Sequence, residues 1–462
     1  MTGRFLRVEL RRSAAGGIAL LMLVVGTAML LSSTQFFAGR WMQLAVNTRS
    51  MLMVLLPLAL AGGAWLGRRE TRHRVDELFA STVRPRWHRV VPTAGALAIA
   101  VVTAYVLVFL IAAGWVVPTS EYFPTAAIVV TSVGALSLVA AGWLGMAAGR
   151  AVPRVITAPV LAVIGFALVG LAPELVMTPD LNAEIARFRP EPSAVLLVPV
   201  FSGGLDDLQT IVTRISLLQT LWLVALATTG LLLLSAVGRR ATVLAVLPAV
   251  LGAAVAVPLL PAGGTRGAAA VDPVAAELVC DAEGPQVCVT RVHAGLLPDL
   301  VGPARQALTM MAAKLPNAPT RAVQSQQVAY WAQLVPDSAP PRHQADTIVF
   351  DTPTIGRTGH AELSADFLPS LLLAPWEQEC GEGSDLDEAY LAQVVAAAWL
   401  SGQPPTPPPG WEPVETEQAK TAYEALMALP EAEQQRRMAA ARDAAMDCRA
   451  DGLLAILPEE NS

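Results

Sequence analysis

Lysine is missing from the first 264 residues of this 462-residue chain, and so is cysteine. Charge of either sign is scarce throughout. Asp, Glu, Lys and Arg make up 15% of the residues, where soluble domains carry about 25%. With 54% hydrophobic residues and a mean hydropathy of +0.49, the shortage excludes an ordinary soluble domain. Thirty-five prolines and 34 glycines exclude one long coiled coil. Several motifs are absent too. No G-x-x-x-x-G-K-[ST] loop is present to cradle ATP phosphates, and no H-E-x-x-H or G-x-S-x-G occurs. The five histidines (His73, His88, His293, His343, His360) are scattered without metal-ligand spacing. Ser384 sits in an acidic G-E-G-S-D-L-D stretch that lacks the spacing of a calcium loop and reads as a solvated turn. The expectation is a chain with no catalytic residue, no metal and no cofactor of its own.

The charge that is present is divided. Residues 1–264 hold 20 Arg and 11 acids, a net of +9, while residues 265–462 hold 12 basic and 27 acidic residues, a net of −15. Such parts live in different solvents, and the acidic tail excludes nucleic acid as its partner. A bilayer core takes about 20 apolar residues in helical form. Seven runs qualify: 14–33, 50–67, 91–116, 125–149, 155–173, 215–237 and 241–260. None has Asp, Glu, Lys or Arg in its interior. Seven such runs are improbable as core helices of a soluble protein. The first, behind Arg4, Arg7, Arg11 and Arg12, has the shape of a signal peptide but is long and followed at once by others, so it reads as an uncleaved span.

Arginine sets the orientation. With the N-terminus cytoplasmic, the inside segments 1–13, 68–90, 150–154 and 238–240 hold 15 of the 20 arginines. Arg40, Arg49, Arg187, Arg189 and the border residue Arg214 fall outside. The positive-inside rule then places the N-terminus in the cytoplasm of a multi-pass plasma-membrane protein and the C-terminal part outside. The four cysteines (Cys280, Cys288, Cys380, Cys448) all lie in that part, as oxidising surroundings favour. Cys280 and Cys288 flank Glu283-Gly284-Pro285, a turn signal that suits a disulfide-closed hairpin, which leaves Cys380 and Cys448 for a second bridge. Three connectivities are open to four cysteines.

The organisation follows. Residues 1–12 make a short basic surface helix or a plain basic anchor. Loop 68–90 places Val75, Leu78 and Phe79 on one helical stripe, with Arg72, Asp76 and Glu77 on other faces, before Pro85 stops the helix. In the outside loop 174–214, the apolar run Ala194–Phe201 is too short to span and reads as a re-entrant or interfacial element. Gly238-Arg239-Arg240 forces a tight helical hairpin between the last two spans. A Gly/Ala/Pro-rich linker covers 261–275 and separates the membrane part, 1–260, from an acidic α+β domain, 276–462. In that domain helices are predicted near 301–314, 384–400, 416–428 and 431–447, and strands near 321–334 and 346–350. Residues 403–413 are a stiff Pro-rich spacer.

Proton- or sodium-coupled transporters keep ionisable groups inside the membrane. Here Glu174, Asp206 and Asp207 lie only at the outer border, so ion-coupled antiport is disfavoured and energy must come from elsewhere. The order of basic surface helix, two spans, basic amphipathic loop and four more spans resembles the permease subunit of actinobacterial ABC transporters of the type-2 exporter kind. MTGRFLRVELRR at the N-terminus and GRRETRHRVDELFASTVRPRW at 67–87 carry the likeness, over about residues 1–240. The resemblance implies that loop 68–90 holds a coupling helix docked on a separate ABC ATPase subunit. Its contact residues would be Arg72, Arg74, Asp76, Glu77, Leu78 and Phe79. It further implies a second permease copy or homologue as partner, besides membrane lipid. The plain alternative makes 68–90 a solvated basic loop. The family pattern ends after six spans, so the seventh span and the C-terminal domain depart from it.

The fold class expected is therefore membrane α-helical. It comprises a seven-span bundle (a six-span permease core plus one extra span) and a C-terminal extracytoplasmic α+β domain. The function expected is that of a non-enzymatic membrane subunit of an ATP-driven exporter; Thr27, Thr103 and Thr131 could line its path, but read first as ordinary helix-packing hydroxyls. A membrane-anchored sensor with an extracellular ligand-binding domain is the alternative. An ectodomain hydrolase is disfavoured by the missing motifs.

Overall fold

The structure, a computed structural model, describes residues 14–69, 87–171, 193–201, 204–261, 267–328, 345–376, 386–405 and 413–447. It divides at Asp272/Pro273 into two compact units, inside the predicted linker.

The first unit is helical. Helix α1 is Ala15–Ser32, α2 Trp41–Ser50, α3 Leu52–Gly67, α4 Trp87–Ala113 and α5 Ala126–Ala151. Helix α6, Thr157–Phe166, ends in a π-turn at Ala167–Leu171. Then come α7, Thr213–Ser235, α8, Arg239–Ala245, and α9, Leu247–Leu259. Among the described residues five helices are long and apolar enough to cross a membrane: α1, α4, α5, α7 and the run Arg239–Leu259. A sixth is obtained if α2 and α3, bent by 47°, count as one. The seven expected spans therefore do not all recur at full length. Thr157–Gly170 is a shorter apolar helix, and the expected span 50–67 is the second arm of a broken pair.

That break has local causes. Pro57 lies inside α3, so Met53 O lacks its helical donor and is pushed aside by the ring. One turn earlier Thr48 Oγ1 donates to Leu44 O and Ala45 O, and Ser50 Oγ to Asn47 O at 3.0 Å. Such back-bonding bends helices.

Helices α3 and α5 pack backbone to backbone. A Cβ at Gly63 would lie 2.1 Å from Gly142 O, at Gly67 2.0 Å from Met146 O, at Gly145 2.0 Å from Leu60 O and at Gly149 2.1 Å from Ala64 O. Two Gly-x-x-x-Gly pairs thus interlock, the small-residue packing that brings apolar helices close. The expected hairpin is present: Gly238 adopts φ +82°, and Thr229 Oγ1 on α7 accepts from Ala249 N–H at the start of α9. The outer faces are apolar. Leu20 and Val24 on α1, Val163 on α6, and Leu244 and Val250 on α8–α9 are all exposed. The predicted linker is in part structured, because β2, Ala269–Val271, pairs antiparallel with β1, Gln209–Ile211.

The second unit carries a four-stranded sheet in the order β3–β4–β5–β6. Its strands are Leu278–Cys280, Gln286–Thr290, Arg321–Gln324 and Thr347–Phe350, the first pair antiparallel and the others parallel. Cys280 and Cys288 face each other in register and are bonded, so the predicted closed hairpin is present. Cys380 and Cys448 lie outside the described residues.

Helix α10, Leu297–Lys314, connects β4 to β5 and buries Leu300, Ala304, Leu308 and Met311 in the same core as Val287, Val289, Ala322 and Ile348. Helices α11 (Phe367–Leu373), α12 (Leu386–Ser401), α13 (Pro413–Met427) and α14 (Glu431–Met446) complete the unit. Trp376 and Trp399 are buried there, and each indole N–H finds an acceptor: Met438 O and Gln434 Oε1. The predicted helices and strand starts agree with these elements. The mixed parallel arrangement was not predicted.

Candidate functional site

Helix α2 is fastened along its length by the segments 193–201 and 204–208. Arg40 Nη1 meets Asp207 Oδ2 at 2.6 Å and Gln43 Nε2 donates to Leu205 O at 2.8 Å. Two turns on, Arg49 Nε donates to Pro199 O at 2.8 Å, and Nη2 to Gln219 Oε1 of α7 at 3.0 Å. Gln219 is oriented by its own amide, which donates to Leu196 O at 2.7 Å, so the atom facing Arg49 is an acceptor. The Phe201 ring centroid lies 5.9 Å from the guanidinium carbon. Within the run Ala194–Phe201, Leu196 and Phe201 are buried beside Met42, Ala45 and Val46.

Arg49 was expected in an outside connection. It is instead 0% exposed, one residue before the helix break. No carboxylate among the described residues pairs with it, and its Nη1 meets no acceptor. Isolating a charge in this way costs several kcal/mol, on the order of the penalty for an uncompensated buried ion. The carbonyl end of α2 and the two neutral acceptors offset part of that. The Tyr105 hydroxyl of α4, also buried, lies near Thr48 and in electrostatic range of Arg49.

A second polar cluster lies in the sheet unit. Thr290, Gln324 and Thr352 stand at or just past the carboxyl ends of the parallel strands β4, β5 and β6, around the buried His293. Thr290 N–H donates to Gln324 Oε1 at 2.9 Å, which fixes the amide. Its NH2 then donates to His293 Nδ1 at 2.8 Å and Thr352 Oγ1 at 2.6 Å. The ring's proton therefore belongs on Nε2. Ligands of open α/β sheets bind beyond such strand ends, but here the Gln324 amide is satisfied by Thr290, His293 and Thr352, as in a structural network.

The predicted coupling residues Arg72, Arg74, Asp76, Glu77, Leu78 and Phe79 lie outside the described residues, between α3 and α4. The three threonines that could have lined a path have separate surroundings. Thr131 donates to Ala127 O within its own helix, Thr103 is exposed, and Thr27 Oγ1 is buried without a partner. Sequence reading missed Arg49. The available signal was Leu44, Ala45 and Thr48 at helical spacing before it, which continues α2 to the apolar run. No protein-family model, curated protein or solved structure matches the chain.

Proposed function

We propose that the chain is the membrane-spanning subunit of an ATP-driven transporter, an exporter coupled to a separate ABC ATPase through loop 68–90. In this reading α1, α2–α3, α4, α5, Thr157–Gly170, α7 and α8–α9 make seven crossings. The N-terminus is cytoplasmic and the sheet unit extracytoplasmic. Three features support it. The outward side chains of α1, α6 and α9 are apolar, as lipid requires. Arginine is concentrated in the connections assigned to the inside. The basic connection between α3 and α4 is where a partner could pull on both helices.

The observation that carries transport rather than anchoring is the buried Arg49 at a broken helix. An anchor gains nothing from a dehydrated cation, whereas intramembrane charges mark pathways and moving parts. Purifying the tagged full-length protein in mild detergent, with mass spectrometry of the chains that accompany it, tests the reading. A stoichiometric ATPase is expected, released when Asp76 and Glu77 are changed to Lys. Its absence, under conditions that retain other membrane complexes, refutes the proposal and leaves the sheet unit as the functional part of an anchored sensor.

A further inference from the structure

The first unit sorts its charge by end. Helices α3, α5 and α7 run parallel and finish together: a Cβ at Gly67 would lie 2.0 Å from Met146 O, one at Gly230 2.9 Å from Leu144 N, and Arg150 Nη1 donates to Leu234 O. The acids among the described residues of this unit are Glu121, Asp206, Asp207 and Asp272. Glu121 precedes α5, Asp206 and Asp207 precede α7, and Asp272 N–H donates to Leu208 O, so all four stand at the opposite end. Where α5 and α7 finish, the connections that follow carry positive charge only. Arg154, Arg239 and Arg240 are exposed, and no carboxylate among the described residues pairs with them. Interleaved with them, Val155 is 73% exposed, Val237 68% and Ile156 64%. Trp65, in the last turn of α3, is exposed at the same end with the Arg68 guanidinium carbon 3.8 Å from its ring centroid.

Neither water nor hydrocarbon suits such connections. Bare valine and isoleucine gain nothing in water, and unpaired guanidinium groups are costly in hydrocarbon. The boundary between the two suits both, because apolar side chains enter the acyl region while arginine reaches the phosphates and the indole sits at the head-group level. The sign of the charge selects the lipid. Arginines with no acid among them repel one another, and an anionic surface relieves that repulsion. We propose that the end of α5 and α7 is seated on acidic phospholipid, with Arg154, Arg239 and Arg240 on the head-group phosphates and Val155, Ile156 and Val237 among the upper acyl segments. This rests on the membrane-spanning part of the reading above and not on ATP-driven transport.

The full-length protein in uncharged detergent is titrated with dioctanoyl phosphatidylglycerol, dioctanoyl phosphatidylcholine or glycerol 3-phosphate, and its unfolding temperature is followed. Phosphatidylglycerol is expected to raise it saturably, and the other two to have no effect at the same concentrations. In Arg154→Gln/Arg239→Gln/Arg240→Gln the half-saturating phosphatidylglycerol concentration should rise more than about tenfold, since each basic residue near an acidic surface is worth about fivefold. All three side chains are exposed, so the lipid-free variant should melt with the parent. Arg214→Gln, an exposed arginine at the start of α7, should change neither value. An equal response to phosphatidylcholine, or parental half-saturation in the triple variant, overturns the proposal. So does an equal response to glycerol 3-phosphate, which assigns the arginines to a soluble anion, and so does indifference to every probe, which leaves them to a protein partner. Failure of the membrane reading shows separately, as release of the chain from membranes by alkaline carbonate. No ATPase enters the assay, so loss of the transporter reading leaves this result standing.

Discussion

Replacing Gly145 by Ala tests what holds the first unit together. The added methyl would sit 2.0 Å from Leu60 O, and real Cβ atoms essentially never come under 3.0 Å, so α3 and α5 must part locally by about 1 Å. The obstacle is backbone, which cannot turn aside. Overpacking of this kind costs about 1–3 kcal/mol. The same movement stretches the neighbouring approaches of Gly63 to Gly142 O, Gly67 to Met146 O and Gly149 to Ala64 O. Their Cα–H groups point at those oxygens, and each such contact contributes about 0.5 kcal/mol. The total is roughly 3 kcal/mol, which lowers the unfolding temperature by about 6–12 °C at 2–4 °C per kcal/mol.

The assay is thermal unfolding of the full-length protein in mild detergent, followed by tryptophan emission, with Gly17→Ala alongside. Gly17 has nothing within 4 Å of its would-be Cβ, so alanine there removes only the helix penalty of glycine and is neutral or stabilising by about 0.5–1 kcal/mol. The double variant Gly63→Ala/Gly145→Ala should cost less than the sum of its parts, because one separation of the helices relieves both clashes. If Gly145→Ala melts with Gly17→Ala, or the double variant is strictly additive, the close approach of α3 and α5 does not set the stability of this unit.

Three further outcomes are expected. Cys280→Ser/Cys288→Ser opens a bridge of sequence separation 8, worth about 2.5 kcal/mol by loop-closure entropy, and should speed hydrogen exchange across 278–290; unchanged exchange refutes this. Arg442, buried in α14, donates to Asn317 O and Ala345 O, so Arg442→Met strands two carbonyls and should destabilise the second unit by about 2–4 kcal/mol in denaturant unfolding. The Asp281 carboxyl is held below its ordinary value of 3.8 by its hydrogen bond to Arg305 and the neighbouring guanidinium charge. A depressed carboxylate contributes stability that is complete above its unfolded-state value and is lost as pH falls through the folded one. The acid limb of unfolding should therefore be shallower in Asp281→Asn, and an unchanged limb would remove that ion pair from the account.

Much of the architecture was legible because it is local. The run 125–149 became Ala126–Ala151, and 431–447 became Glu431–Met446, since periodicity and hydropathy are properties of neighbouring residues. The Cys280–Cys288 hairpin was legible for the same reason, its turn lying between the two cysteines. What escaped was made by partners distant in sequence. WMQLAVNTRS is too polar to count as part of a span, and its polar groups are buried because α4, α5 and the segments 193–201 and 204–208 pack around it. The Gly63/Gly67 and Gly145/Gly149 spacings are visible in the sequence, but their pairing is a fact of packing. The cluster of Thr290, His293, Gln324 and Thr352 draws on three strand ends, and no window along the chain contains it.

The break and the buried charge of α2–α3 have one explanation between them. Had the helix continued straight through Met51, the residues after Arg49 would follow the same axis; the backbone ladder does run on at the bend, Met51 N–H donating to Asn47 O at 3.2 Å. With Pro57 leaving Met53 O unserved and Thr48 and Ser50 bonding back, the helix bends. Arg49 is then held at the bend by Pro199 O and Gln219 Oε1, groups on two other segments. Neutral acceptors of this kind fix the direction of a guanidinium without cancelling its charge. A structural cation would be better served by a carboxylate, and Asp207 provides one for Arg40 two and a half turns away. The acid stands with the partly buried Arg40, and the fully buried Arg49 is oriented by neutral acceptors from two other segments, so the bend of α2–α3 and the residues that hold Arg49 there depend on one another.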